Sequence, residues 1–403
     1  MSGYSLLDGV RVLEVAQLAP SSVGGHLADL GAEVIKIESE PLGDGARLAG
    51  FYAIGGSDGP GFLHLRWNRG KKSVVLDLRS DDDRDRFARL ARTCDAVIEG
   101  TRAGYLDRLG LGYDELRKTN PALVFCTVSG TGTDGPYRAL ATGGLWFDSY
   151  SGVRPVNADQ PSPPGVMGGS DATPVGMYAV GAYGAMGVLA GLLRARSTGV
   201  GSHLEIASCD VAASWVPDKT DLELNRAAVF RRPDGWTPDG RLADWVRMEP
   251  YRTSDGDVML LGAHTEKFWQ RFCLAVDRAD LMDIDVTTVD DGHAERSNKL
   301  WSELSDVFKQ RTKAEWVEFF LAHDIAGGPV NTPSQLLADP HWKARHNTFE
   351  CPLSEDLVVT LVASPVRVVG EQFAPTPAPT LGAHTDEVLG WLSQTAEGGP
   401  AFP

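Results

Sequence analysis

The sequence is poor in the short signatures that mark common chemistries. Its five cysteines, Cys94, Cys126, Cys209, Cys273 and Cys351, are scattered, and no CxxC pair offers a zinc or redox site. Several lie in apolar runs such as 123–128, where a thiol acts as a small hydrophobe, so reduced structural cysteines are expected. The nine histidines form no HExxH motif. His341 and His346, near Asp339, read as helix-surface residues, so no metal site is expected. No GxSxG elbow marks a serine hydrolase. Neither GxGxxG nor GxxxxGK[ST] follows the first strand signal, where the chain reads AQLAPSSVGG. The standard dinucleotide and ATP fingerprints are therefore missing. A basic excess is missing too. Lys and Arg number 38 against 54 Asp and Glu, a net charge of −16, so the footprint of a nucleic-acid reader is absent. No charged segment followed by an apolar one opens the chain, so no secretory signal is evident and a cytoplasmic protein is expected.

What is present describes a globular protein. The 403 residues suffice for two or three domains, and 42% hydrophobic and 23% charged residues exclude a disordered chain. Residues 172–193 carry no charge and are long enough to cross a bilayer. Five glycines dilute that stretch, no second such segment exists, and no aromatic belt flanks it. A closely packed central helix is expected instead, with no membrane partner.

Strand and helix signals alternate through the first 150 residues. Short apolar runs at 10–15, 32–37, 72–78, 95–99 and 123–129 read as strands. Segments 22–30, 81–93 and 113–119 read as the helices between them. Such βαβ rhythm indicates a parallel sheet, and runs without alternation fit strands buried on both faces. Residues 203–209 read as one more strand. The character changes near 215. Segments 265–276, 297–310 and 313–323 look like amphipathic helices around a strand at 257–261, and Gly327, Gly328 and Pro329 read as a break. Strands at 358–369 and a final helix close the chain. The expected domains are 1–214, a smaller one at 225–325, and a return through 330–403.

Two segments suggest chemistry. The tract SGTGTDG (129–135) would place backbone N–H groups at the carboxyl end of a parallel strand, where ligands bind. A plain turn is the equal alternative. The tract GGSDATPVG (168–176) opens the apolar helix. Thr173 suits a cap and Pro174 the first helical position. Asp171 would then stand just before the helix, favoured in its charged form by the helix dipole. Flanking glycines leave it open to a substrate, as a nucleophilic carboxylate requires. An ordinary capping role explains the same pattern.

Longer motifs run end to end. They include LLDGVRVLEVAQLAP (6–20) with HLADLGAEVIKIE (26–38), then WNRGKKSVVLDLRS (67–80) and the stretch DAVIEGTRAGYLDRLGLGYDELRKTNPALVFCTVSGTGTDGPY (95–137). They continue through GGSDATPVGMYAVGAYGAMGVLAGLLRARSTGVG (168–201), YRTSDGDVMLLGAHTEKFWQRFC (251–273), GGPVNTPSQLLADPHW (327–342) and LGAHTDEVL (381–389). In these the chain resembles the family III CoA-transferases, the CaiB/BaiF family.

The resemblance implies an α/β fold, with a Rossmann-like large domain built from both ends of the chain and a smaller inserted α+β domain. It implies an interlocked homodimer. It implies CoA transfer between an acyl-CoA donor and a carboxylic acid acceptor, with coenzyme A as substrate and no tightly bound cofactor. The family nucleophile matches Asp171. Its CoA contacts match Leu18, Ala19, Leu76, Asp77, Leu78, Arg79, Gly100, Thr101, Arg102 and Arg108, of which Arg79 and Arg108 suit phosphates.

The chain departs from the family at Ser39, where some members carry Arg, and at Gly100–Thr101, where Asn-Phe is common. Ala19-Pro20-Ser21 replaces the usual AGP. The related α-methylacyl-CoA racemases carry a Gly-His-Asp tract after the GPY turn. Here Ala141-Thr142-Gly143-Gly144-Leu145 holds no histidine, which favours transfer over a two-base proton exchange. GWTPDG (235–240) reads equally as a cover over the site or as a turn. A silent CoA-binding protein is the remaining alternative, and an intact Asp171 argues against it.

Overall fold

The computed structural model describes residues 3–48, 54–56, 59–153, 174–228 and 242–395. The chain divides into two compact units, residues 1–224 with 346–403, and residues 225–345.

The first unit is mixed α/β. In chain order it has β1 (Arg11–Ala16), α1 (Ser21–Asp29), β2 (Glu33–Glu38), α2 (Phe62–Trp67), β3 (Lys71–Val75), α3 (Asp81–Arg92), β4 (Ala96–Gly100), α4 (Tyr105–Arg108) and α5 (Tyr113–Leu116). There follow β5 (Val124–Ser129), α6 (Leu145–Tyr150), α7 (Val175–Thr198), β6 (Ser202–Ala207), α8 (Ser208–Ser214) and α9 (Pro217–Leu224). The six strands form one parallel sheet in the order β3-β2-β1-β4-β5-β6. β1, β2, β4 and β5 are buried almost throughout, as unalternating apolar runs require.

Each face of the sheet has its own core. On one, Val12, Val34, Ile98 and Val124 meet α1 and α7 through Val23, Leu27, Val180 and Val188. On the other, Leu13, Ile35, Val97 and Phe125 meet α3 through Phe87 and Leu90. The glycines of α7 permit its close approach to α1. A Cβ at Gly184 would stand 2.5 Å from Cγ2 of Val23. Among the described residues α7 alone is long and apolar enough to cross a membrane, and half of its most apolar window is buried inside the protein.

The second unit is α+β. It holds β7 (Pro250–Arg252), β8 (Val258–Leu261), α10 (Glu266–Ala275), α11 (His293–Phe308), α12 (Lys313–His323), β9 (Gly327–Val330), α13 (Pro333–Ala338) and α14 (Pro340–Ala344). Its antiparallel sheet runs β7-β8-β9 over an aromatic core of Tyr251, Trp269, Phe272, Phe308 and Trp316. The Gly-Gly-Pro segment is thus no break but an edge strand, the one place in a sheet where proline is tolerated. β9 pairs with β8, and Gln335 donates to Asp257 at 2.6 Å, so this unit continues through Arg345, past residue 325.

The chain then adds β10 (Thr348–Pro352), β11 (Val358–Val362) and α15 (Thr385–Thr395) to the first unit. β11 stops at Val362, where its partner β10 begins at Thr348, so no strand fills 363–369. The expected strand at 203–209 likewise ends at Ala207. Cys209 turns into α8 and donates its N–H to the Gly130 carbonyl at 3.1 Å. Val388, Trp391 and Leu392 of α15 complete the core under α3. The entry into α15 closes the outer edge of β3. Ser73 N–H donates to Nδ1 of His384, Val75 N–H to Oγ1 of Thr385, and His384 N–H to the Ser73 carbonyl.

Candidate functional site

A cavity of about 370 Å³ opens at the carboxyl ends of β1, β2, β3 and β4. This is the crevice of an open parallel sheet, where the strand order reverses between β1 and β4 and ligands bind. Ala16 and Gln17 follow β1 on one wall, and Ser39 and Glu40 follow β2. Of the residues expected to bind CoA, Leu76, Asp77, Leu78, Arg79 and Thr101 line the cavity. Leu18, Ala19, Gly100, Arg102 and Arg108 are not lining residues, although each except Arg108 stands within two residues of one in sequence.

Gly100 is where the walls converge. A Cβ there would meet Pro20 Cβ at 2.4 Å and Ala16 Cβ at 2.7 Å, so any side chain would drive β4 from the β1 turn. Arg79 is 86% exposed and pairs with Asp77 at 2.8 Å. An exposed pair of this kind is weak because water screens it, so exchanging the carboxylate for a phosphate costs little. Arg102 and Arg108 are exposed, with no ion pair among the described residues. The Thr101 hydroxyl is buried and has no hydrogen-bond partner among the described residues.

A buried charge network lies under this cavity, and sequence reasoning missed it. Asp44 ties the loop after β2 to the turn after β1. One oxygen accepts the N–H of Leu18 at 2.7 Å and of Ala46 at 2.9 Å. The other accepts the Ser21 hydroxyl at 2.7 Å and pairs with Lys36 at 2.9 Å. Leu18 sits at φ 56°, a left-handed conformation that costs a non-glycine residue roughly 1–2 kcal/mol. Asp44 holds it there. Lys36 and Lys71, both fully buried, share Glu14 at 2.8–2.9 Å. Burial alone would raise the Asp44 carboxyl, but the Lys36 charge and the N–H donors leave it well below the usual carboxylate range. Burial would likewise lower the Lys36 amine, and Glu14 and Asp44 outweigh it, holding the group above the ordinary lysine range.

Glu38, another lining residue, receives Arg47 at 2.6 and 2.9 Å and Ser73 at 2.6 Å. Burial opposes its charge, yet Arg47, Lys36 and Ser73 bring its pKa from 4.5 to about 2. The folded state therefore binds fewer protons than the unfolded one. The stability this supplies, up to about 3 kcal/mol, is full above pH 4.5 and lost as pH falls toward 2. Thermal melts of Glu38→Gln are expected to show a flatter acid limb across that window. Parallel limbs for the variant and the parent would contradict this role.

Other expected features fall as follows. Gly132 N–H donates to Ser129, and the Thr133 N–H and hydroxyl both go to Glu205, so those donors of the 129–135 tract are already engaged. Asp339 accepts the N–H groups of His341 and Trp342, which makes its carboxylate the cap of α14. No group of three or more His, Cys, Asp or Glu side chains among the described residues is placed to hold a metal. All five cysteines are buried, and burial pushes the Cys94 and Cys126 thiols up to about 12, which keeps them unreactive. α7 starts at Val175, one residue later than expected, with Pro174 at its cap position and no side-chain bond from it. Asp148 of α6 supplies the missing acceptor to Gly176 N–H at 2.9 Å. Asp171, Thr173 and the segment 235–240 lie outside the described residues.

The family model of CoA-transferase family III matches residues 7–385. A probable fatty acyl-CoA transferase, Rv3272 of Mycobacterium tuberculosis, is 30% identical over 94% of this chain and 96% of its own. A succinate–glutarate CoA-transferase of Agrobacterium fabrum is 28% identical over 96% of this chain and 95% of its own. A crystal structure of Rv3272 superposes with TM-score 0.76 at 29% identity, covering 95% of this chain and 99% of that one. A CaiB/BaiF family protein of Brucella suis superposes with TM-score 0.74 at 25% identity, over 97% and 100%. The parallel sheet, the crevice at its carboxyl ends and a match across nearly the whole length lead to one conclusion: this chain belongs to CoA-transferase family III.

Proposed function

We propose that the protein moves CoA from an acyl-CoA to a carboxylic acid through a covalent bond to Asp171. The observation that carries this reading is the crevice at the strand ends, lined by Leu76–Arg79 and Thr101, in a chain of this family. Relatives named for succinate–glutarate, mesaconate and citramalate transfer support a carboxylate acceptor.

The chemistry needs no net proton and no water. An Asp171 oxygen attacks the thioester carbonyl, the C–S bond breaks, and CoA leaves as thiolate from an aspartyl–acyl anhydride. The thiolate attacks the aspartyl carbonyl, forms aspartyl-CoA thioester and releases the first carboxylate. The acceptor carboxylate attacks that thioester, expels the thiolate and makes a second anhydride. The thiolate then takes the new acyl group and frees Asp171. One hard exchange becomes four easier steps, and the thioester bond energy is kept. Water must be excluded, because it hydrolyses the anhydride.

In this reading Arg79, Arg102 and Arg108 meet the CoA phosphates, while Leu18, Ala19 and Gly100 shape the turn beside them. The molecule works in the cytoplasm as an interlocked homodimer, with the unit of residues 225–345 as an inserted small domain. The Thr101 hydroxyl serves the bound nucleotide. Thr101→Val is expected to leave the melting temperature unchanged or raised while KM for acyl-CoA rises about 3–10-fold, the worth of one hydrogen bond. An unchanged KM would remove Thr101 from the contact set.

The mechanism is tested by trapping. The protein is incubated with succinyl-, acetyl- and palmitoyl-CoA, treated with hydroxylamine or borohydride, and mapped by peptide mass spectrometry. Modification at Asp171 is expected. No adduct from any donor, together with deuterium wash-in at Cα, would replace this reading with racemase-like proton transfer.

A further inference from the structure

We propose that Glu99 is a positioning residue for nucleotide recognition, fixing from β4 the loop 101–105 that walls the cavity. The proposal rests on the reading of that cavity as the CoA crevice. Thr101 and Tyr105, at the two ends of the loop, are lining residues, and Tyr105 is the one aromatic among them, suited to stack on a purine. The near end is held by Gln17, whose N–H donates to the Gly100 carbonyl at 3.2 Å. The far end enters α4 through Gly104, at φ 69°, which has no side chain to cap the helix. Glu99 supplies the acceptor from the strand that precedes the loop. One oxygen takes the Leu106 N–H at 2.7 Å, and the other takes the Thr127 hydroxyl of β5 at 3.2 Å.

Glu99 is 1% exposed, and no salt bridge reaches it among the described residues. Burial raises its carboxyl above the usual range, and the Asp107 charge adds to that, against the pull of the Leu106 N–H, the Thr127 hydroxyl and the Gly104 N–H. A buried carboxylate with no cation to balance it opposes folding, so stability alone does not account for it. What it secures is the shape of the loop. Glu99, Gly100 and Thr101 are consecutive, and Gly100 is clamped between Pro20 and Ala16. Glu99 therefore ties the strand end beneath Thr101 to the helix start behind Tyr105. Without its carboxylate the Leu106 side chain still packs in the core, but the backbone ahead of it loses its anchor. Ordering residues 101–105 then costs binding free energy, and affinity for the nucleotide falls.

The test titrates the full-length protein by calorimetry with CoA and with adenosine 3′,5′-bisphosphate, which carries the nucleotide alone. Glu99→Ala is expected to weaken both alike, by about 10–100-fold. With the fastest of succinyl-, acetyl- and palmitoyl-CoA as donor, KM should rise by a similar factor while kcat stays within about twofold. Glu99→Gln, which keeps an oxygen for the Leu106 N–H, is expected to recover affinity to within about threefold of the parent. Glu99→Asp keeps the charge but is one methylene short of that N–H, so it should bind as weakly as the Ala variant. It also decides the matter if Glu99→Ala does not fold. Parental affinity in Glu99→Ala or Glu99→Asp, a Gln variant as weak as the Ala variant, or a loss of kcat with KM unchanged overturns the proposal. If the parent itself binds neither probe, the crevice reading fails and the proposal with it. If the parent binds both and Glu99→Ala binds them equally well, only the positioning role fails.

Discussion

Asp171→Ala is expected to lower CoA transfer at least about a thousandfold, the order that loss of a covalent nucleophile costs. Folding is expected to survive. The residue precedes a helix whose first turn is held by Asp148 and whose body is packed against α1 and β5. The far-ultraviolet spectrum and melting temperature should match those of the parent. The trapped adduct should vanish with the activity. Asp171→Asn separates charge from shape. It keeps the volume and still lacks the anionic oxygen that attacks, so it should be about as inactive. Substantial turnover in either variant would assign the chemistry to another group and end the anhydride scheme.

Glu14→Ala is expected to be the most damaging single change to stability. Glu14 is fully buried and balances both Lys36 and Lys71 at 2.8–2.9 Å. Without it Lys36 keeps Asp44, while Lys71 keeps only the Ser21 carbonyl and the Asn68 side-chain oxygen. Breaking a buried pair from one side costs about 3–5 kcal/mol. For a unit of this size that lowers the melting temperature by about 6–20 °C. The contrast is a double variant, Glu14→Leu with Lys71→Met, which removes the carboxylate together with the lysine it balances and leaves Lys36 paired with Asp44. It is expected to recover much of the loss, because apolar groups of similar size often replace buried ions at little cost. Urea melts that place Glu14→Ala within 1 kcal/mol of the parent would show that the network is not what holds the turn.

Much of the first unit was legible because its strands are buried on both faces. The runs at 10–15, 32–37, 95–99 and 123–129 lie within two residues of β1, β2, β4 and β5. Lys36 and Glu14, each a charge inside such a run, already required buried partners. Asp44 was not readable as one of them, since it arrives from a loop and pattern carries no such information. α2 and α6 have six residues each, too few to display a helical period. β9 was hidden because Gly-Gly-Pro reads locally as a stop, and only its pairing with β8 makes it a strand. In the candidate site, the lining residues Leu76, Asp77, Leu78, Arg79 and Thr101 came from resemblance rather than from periodicity. Asp148 had no signal at all. It is one polar residue in the aromatic run LWFDSY, and its importance comes from where α7 begins.

The closure of β3 by residues 384 and 385 has a consequence for synthesis. The sheet edge is made early, but its cover lies about 310 residues further along the chain. At roughly 5–20 residues per second on the ribosome, that edge stays bare for roughly 15–60 s. An unpaired strand edge is a template for another chain. A polypeptide that stops short of His384, or stalls before it, therefore carries the information for the whole sheet and still leaves it open to its neighbours.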